Sequence, residues 1–184
     1  MWIDFANKMK RRGLNSGFRE EIPLILDSYE DIFSDFDPRT FSQKALSGDF
    51  LLECKKASVD KKKVELKLFV PRKKRNLREE VKIKRRLKEH FKKHAKEKKR
   101  EIRKIKLVGT FWTVIGAVMM IVSAFFFTTP SSFFQHLVAV LVQPAGWFFL
   151  WEGLAKILIT PKDKMPDYRF YKKMANSEIS FLNI

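Results

Sequence analysis

The hydrophobic pattern changes period along the chain, and each change predicts an element. Residues 64–70, Val-Glu-Leu-Lys-Leu-Phe-Val, alternate with Val64, Leu66, Leu68 and Val70 on one face, and Pro71 follows. A period of two, closed by a residue with no N–H to donate, predicts a half-buried strand. An isolated strand is unstable, and the only comparable alternation, residues 178–184, is its expected partner. Between the acidic segment and this strand, Ser47 is placed as an N-cap and Asp49 at the positive end of a helix dipole. With Leu46 and Leu51 as a staple, these predict a helix to about Ala57. Cys54 falls within it as a small, half-buried residue; a lone cysteine forms no internal disulfide and no multi-cysteine metal site.

From residue 76 the period lengthens to that of a helix. Asn76 as N-cap and Glu79 at the third helical position make a capping-box start. Leu77, Val81, Leu87, Phe91, Ile102 and Ile105 then supply a broken apolar stripe as far as residue 106. There the charged positions stop. Residues 107–127 contain no charge, and at ~1.5 Å per residue they cover ~31 Å, the thickness of a hydrocarbon core. A second apolar run, residues 133–159, follows a turn at 128–132 that is long enough only for a tight antiparallel hairpin.

Charge sharpens this division. The 184 residues carry 38 Lys or Arg against 21 Asp or Glu, a net of +17. Residues 55–106 hold 25 basic and 7 acidic side chains, residues 20–54 hold 2 basic and 9 acidic, and residues 107–155 hold only Glu152. The excess is therefore concentrated just before the first uncharged run. Arg100, Arg103, Lys104 and Lys106 precede that run and Lys156, Lys162 and Lys164 lie at the end of the second, with no charge in the turn between. By the positive-inside rule both termini are expected in the cytoplasm. Aromatic residues near both ends of the runs, among them Trp112, Trp147 and Trp151 on one side and Phe125 and Phe133 on the other, fit two interfacial belts.

The expected fold class is a mainly α membrane protein, a two-helix transmembrane hairpin with a small cytosolic α+β module and a long basic juxtamembrane helix. Its parts are a basic segment 1–19, partly a short amphipathic helix; the acidic module 20–75; the basic helix 76–106; spans 107–127 and 133–159 with an external turn 128–132; and a cytosolic tail 160–184.

Candidate chemistry is sparse. The seven glycines form no phosphate-binding loop. His90 and His94 are one turn apart but lack a third ligand, and Lys92, Lys93 and Lys96 repel a cation. Asp27, Asp31, Asp35 and Asp37 lack the spacing of a calcium loop. No nucleophile stands beside a base, so neither enzymatic activity nor a cofactor or metal is expected. Nucleic acid is disfavoured as a partner, because the aromatics that would stack on bases lie outside the basic helix.

Two interaction surfaces are expected instead. The acidic-aromatic segment offers Tyr29, Phe33, Asp35, Phe36, Asp37 and Arg39 to a partner, or wraps over the protein's own basic surface. Arg85, Arg86, Lys92, Lys93, Lys99, Arg100, Arg103 and Lys104 face anionic lipid headgroups, each contributing ~1 kcal/mol near such a surface, less their mutual repulsion. Within the spans, Gly109, Gly116 and Gly146 admit close helix packing, inside the hairpin or between copies. Glu152 is positioned to pair with Lys156 one turn later, and Gln143 beside Pro144 is the other intramembrane polar candidate.

Residues 27–39, Asp-Ser-Tyr-Glu-Asp-Ile-Phe-Ser-Asp-Phe-Asp-Pro-Arg, are followed by Ala-Leu-Ser-Gly-Asp-Phe at 45–50 and a basic helix. The hairpin then contains Gln-Pro-Ala-Gly-Trp-Phe at 143–148 and Trp-Glu-Gly at 151–153. This combination resembles a group of small prokaryotic two-span membrane proteins of uncharacterised activity. The resemblance covers most of the chain and implies a bacterial or archaeal inner membrane; it transfers no catalytic residue. The expected function is a non-enzymatic membrane anchor or scaffold subunit, homo-oligomeric or part of a larger complex. The alternative is a homo-oligomeric pore lined by Thr113, Ser123, Gln143 and Glu152.

Overall fold

The computed structural model describes residues 20–126 and 132–184, so the amphipathic helix expected within 1–19 and most of the turn at 128–132 lie outside the described residues. Three strands form one sheet in the order β1 (Glu20–Ile25), β2 (Val64–Val70), β3 (Glu178–Asn183). Helix α1 (Gly48–Ser58) connects β1 to β2. Helices α2 (Leu77–Phe126), α3 (Phe133–Leu158) and α4 (Thr160–Ala175) lie between β2 and β3. Both strand pairs are parallel, so each connection is a helical crossover. The strand-bearing module is therefore α/β, not α+β: with helices between successive strands, each strand re-enters the sheet in the same direction.

The expected β2–β3 pair is present, with Leu66 opposite Ile179 and Leu68 opposite Phe181. Strand β1 is a third partner that the alternation does not reveal, because Pro23 interrupts it; an edge strand tolerates a missing N–H. Its register sets Ile22 opposite Leu66 and Leu24 opposite Leu68, which completes apolar rows on one face. Phe50 and Cys54 of α1, Ile83, Leu87 and Phe91 of α2, and Phe170 and Met174 of α4 join those rows in one buried cluster. The polar side chains of β2 are paired along the sheet, Lys67 with Glu21 and Glu65 with the Ser180 hydroxyl, which donates at 3.4 Å. Burial, then the charge of Glu53, pushes the Cys54 thiol up to about 12, so this buried cysteine is unreactive at neutral pH.

The helix starts differ from expectation in their details. Helix α1 begins where predicted, but the Ser47 side chain makes no capping bond. Instead its N–H donates to the Ile32 carbonyl at 3.0 Å, beside the isolated bridge between Phe33 and Leu46. At α2, the Asn76 side chain does cap, accepting the Arg78 N–H at 3.0 Å. Glu79 does not close a capping box: its carboxylate pairs with Lys82, and the Asn76 N–H donates to the Tyr29 hydroxyl at 2.9 Å. The basic helix and the first apolar run form one continuous helix of 50 residues, about 75 Å long at ~1.5 Å per residue. Beyond α3 the expected tail is largely helical. Two prolines disguise α4: Pro161 sits in the first turn, where its missing N–H is harmless, and Pro166 removes one bond further in.

The chain divides into two compact units, one comprising residues up to Ala95 together with Arg169–Ile184, the other Lys96–Tyr168. Among the described residues, two helices are long and apolar enough to cross a membrane.

Candidate functional site

In the second unit, the apolar helices pack through glycine. A Cβ at Gly116 would lie 2.4 Å from the Leu150 nitrogen and 2.7 Å from the Gly146 carbonyl oxygen, and one at Gly109 would lie 2.8 Å from the Gly153 carbonyl oxygen. Gly109 faces Gly153 and Gly116 faces Gly146, an antiparallel register stitched at seven-residue intervals on both helices. Close packing inside the hairpin, one of the two uses expected for Gly109, Gly116 and Gly146, is thus observed. Gly153 belongs to the same seam; its spacing of seven from Gly146 is the signal that locates it. Trp112 and Phe149 pack nearby with ring centroids 4.8 Å apart.

The outward faces of these helices carry apolar side chains in the open: Phe111, Val114, Val118 and Ile121 on α2, Leu141 and Phe148 on α3. Only 17% and 11% of their most apolar stretches are buried, whereas a core helix of a soluble protein is mostly buried. Glu152 pairs with Lys156 as expected. Gln143 is exposed, Ser123 is buried, and the Thr113 hydroxyl donates to the Gly109 carbonyl of its own helix at 2.9 Å.

Of the eight basic residues expected to face lipid, Lys92, Lys93, Lys99, Arg100, Arg103 and Lys104 are exposed along α2. Arg85 is exposed and pairs with Glu89 at 2.8 Å. Arg86 departs from the set: it is half-buried and donates to the Lys44 carbonyl at 3.0 Å, because its helix face adjoins the one that buries Ile83 and Leu87. Near the start of the apolar stretch, Lys98 and Lys164 both pair with Glu101, at 3.2 and 3.1 Å. These bonds, that of Lys164 foremost, hold the Glu101 carboxyl below its ordinary range.

The six residues expected to bind a partner separate into two groups. Tyr29 and Phe33 are only 8% and 2% exposed, so they belong to the core and not to a docking face. The spacing that set aromatics among acids serves the protein itself, burying Tyr29, Ile32 and Phe33 while the acids stay outside. Those acids largely serve local structure. The Asp31 carboxylate accepts the N–H groups of Asp27 and Ser28 at 2.7 and 3.0 Å, and Glu30 pairs with Lys44. Asp37 accepts both Arg39 guanidinium bonds, at 2.8 and 2.7 Å, and the Ala45 N–H at 2.7 Å. The Arg39 bonds and then the Ala45 N–H hold the Asp37 carboxyl far below its usual range. Asp35 and Phe36 remain outside, and Phe36 is 98% exposed.

A polar cluster that the sequence does not reveal lies where the carboxyl ends of β2 and β3 meet the start of α2. Arg75 donates through Nε and Nη2 to both oxygens of Glu80, at 2.7 and 2.9 Å, and through Nη1 to Asn183 at 2.6 Å. The Tyr29 hydroxyl donates to Glu80 at 3.0 Å while accepting the Asn76 N–H. Burial alone would raise the Glu80 carboxyl, but the bonds from Arg75 and Tyr29 outweigh it and hold it below its ordinary value. With its groups satisfied by one another, the cluster is a clamp between distant segments and not a reactive centre.

His90 and His94 do come together, with ring centroids 4.3 Å apart, and Tyr171 of α4 stacks on His94 at 5.2 Å. Among the described residues the buried His90 Nε2 has no hydrogen-bond partner, and no cluster of three or more His, Cys, Asp or Glu could hold a metal. Burial, then the nearby His94, Arg86 and Lys93, pushes His90 down to about 4. A depressed histidine favours folding above its unfolded pKa of ~6.5, and that contribution is lost as pH falls towards 4. His90→Gln is therefore expected to flatten the stability profile of the strand-bearing unit between about pH 6.5 and 4. Denaturant titrations of wild type and variant across that range, differing by a constant at every pH, would refute it.

No protein-family model, curated protein or solved structure matches the chain.

Proposed function

We propose that the chain is a non-enzymatic integral membrane anchor or scaffold subunit of a prokaryotic inner membrane. Its glycine-stitched hairpin crosses the bilayer, the end of its basic helix that adjoins the first apolar run meets anionic headgroups, and its α/β module stands in the cytoplasm. The observation that carries this reading is the outward apolar surface of the hairpin, which nothing among the described residues covers and which is followed along α2 by the exposed Lys and Arg residues. The pairing of β2 with β3 agrees with both ends of the hairpin lying on one side of the membrane: the chain leaves the sheet after β2 and must regain it at β3, which requires an even number of crossings. A pore ranks second, since Thr113 is bonded within its own helix and Glu152 is paired with Lys156.

Reconstitution tests both parts. The protein should stay with the membrane through alkaline carbonate extraction and conduct no ions. In anionic liposomes, Lys99 and Lys104 should be shielded from an amine-acylating reagent relative to neutral liposomes, with Lys62 as an unshielded control. Shielding should vanish at ~1 M salt, where the Debye length falls to about 3 Å. Identical labelling in the two lipids would sink the headgroup contact, and release by carbonate would sink the anchor.

A further inference from the structure

The helices of the strand-bearing module join its sheet through one face, that of Ile22, Leu66, Leu68 and Phe181. The strand residues between these point the other way, and the register aligns Ile25, Phe69 and Leu182 as an apolar row across all three strands. None of the three belongs to the buried cluster that the helices share. Ile25 is 57% exposed, Leu182 is half-buried, and Phe69 between them is 9% exposed. Nearer the amino ends of the strands the same face is polar and satisfied within itself: Lys67 pairs with Glu21, and the Ser180 hydroxyl donates to Glu65. A wholly parallel sheet is ordinarily covered on both faces, so this one calls for a layer beyond the helices described above.

Residues 1–19, which lead directly into β1, are the right length and pattern to supply it. Trp2, Phe5, Ala6 and Met9 fall on one stripe of a helix, at i, i+3, i+4 and i+7, with Asp4, Lys8 and Arg11 opposite. Lys10, Arg11 and Arg12 followed by Gly13 make a helix stop. At ~1.5 Å per residue, residues 2–12 would make a rod of ~16 Å, against ~20 Å for the six residues of β1 at ~3.3 Å each. Between the two, residues 13–19 include Gly13, Asn15, Ser16 and Gly17, a composition suited to reversing the chain. A helix so linked runs back antiparallel to β1. Its Trp2 end then arrives at the carboxyl ends of the strands, where Ile25, Phe69 and Leu182 lie. The stripe and its basic flank also suit a membrane surface, but a tether this short gives the sheet an effective concentration of order mM.

We propose that residues 2–12 form a helix that covers the open face of the sheet, with Trp2 and Phe5 lying over the row of Ile25, Phe69 and Leu182. The strand-bearing module is then a three-layer α/β unit, and the segment before β1 is a structural layer of it and not a second membrane contact.

A cysteine placed on the stripe of the full-length protein in membranes reports the cover, because Cys54 is buried and does not compete. Alkylation of Ala6→Cys by a water-soluble maleimide should be slower than that of Asp4→Cys by about tenfold, and adding Ile25→Lys should bring the two rates together. Cys54 should stay unreactive in that variant, as it does while the core is intact. Benzoylphenylalanine in place of Phe5 should crosslink to a peptide of β1, β2 or β3 within its own chain, giving an adduct that migrates as a monomer. Equal rates at positions 4 and 6, protection that Ile25→Lys leaves untouched, or photoadducts with lipid or with a second copy would each overturn the proposal.

Discussion

Glu80→Ala is expected to cost the strand-bearing unit about 3–5 kcal/mol, the usual range for removing one partner of a buried ion pair. Glu80 is 4% exposed and accepts from Arg75 twice and from the Tyr29 hydroxyl once. Its removal leaves a buried phenol with no acceptor and a half-buried guanidinium with Asn183 alone. Domains of this size are stable by only about 5–15 kcal/mol, so the loss is a large part of the total. Replacing Arg75 and Glu80 together, Arg75→Met with Glu80→Leu, should restore most of it, because no uncompensated charge is then left behind. The pH dependence has a definite sign. A carboxyl held below its unfolded value stabilises the fold above that value, and the contribution disappears as pH falls through the folded one. Wild type should therefore lose stability below the ordinary glutamate range, and the Ala variant should lose less there. This window lies lower than the one in which His90 acts, so the two can be separated in one titration. Urea denaturation in detergent, followed by tyrosine absorbance, measures both; a penalty under 1 kcal/mol for Glu80→Ala would show that the clamp contributes little.

Gly116→Ala and Gly153→Ala are expected to prise the hairpin apart at a cost of about 1–3 kcal/mol each, or more, since the obstructing atoms are backbone. At Gly116 the new Cβ meets the Leu150 nitrogen at 2.4 Å, and at Gly153 it meets the Thr113 nitrogen at 2.4 Å. Neither contact is relieved by a rotamer change. Gly146→Ala should be milder, because its nearest obstacle is the flexible Met120 side chain at 3.0 Å. Gly48→Ala supplies the control: nothing lies within 4 Å, and alanine in a helix is favoured over glycine by roughly 0.5–1 kcal/mol. Spin-label distances across the hairpin should lengthen for Gly116→Ala and Gly153→Ala and stay unchanged for Gly48→Ala. Equal distances in all four variants would mean that the glycine seam does not set the approach of the helices.

How much was legible differs by element, for physical reasons. Strand β2 and its pairing with residues 178–183 follow from alternation, and the long helix α2 from its stripe and its Asn76 cap, because these signals are local and repeated. Strand β1 is hidden by Pro23, which only an edge position excuses, and α4 by Pro161 and Pro166. The exposed basic residues and the Glu152–Lys156 pair could be placed from helical spacing alone. Within their segment nothing distinguishes Tyr29 and Phe33 from Phe36, so the local pattern sets all three on a surface. Their burial depends on side chains far along the chain: Tyr29 packs edge-on against Phe181 and hydrogen-bonds Glu80.

The sequence by itself determined the periods, the lengths and the distribution of charge: two apolar runs long enough to cross a membrane, a concentrated basic stretch before them, and an acidic stretch at the front. Each is a sum over neighbours in the chain, and no fold is needed to evaluate it. The tertiary structure decided that the sheet is parallel, that Arg75, Glu80, Asn183 and Tyr29 form one clamp, that Gly153 completes the seam, and which aromatic of the acidic segment stays outside. Those outcomes depend on pairs dozens of residues apart, whose encounter is fixed by packing and whose energy exists only once water has been excluded from between them.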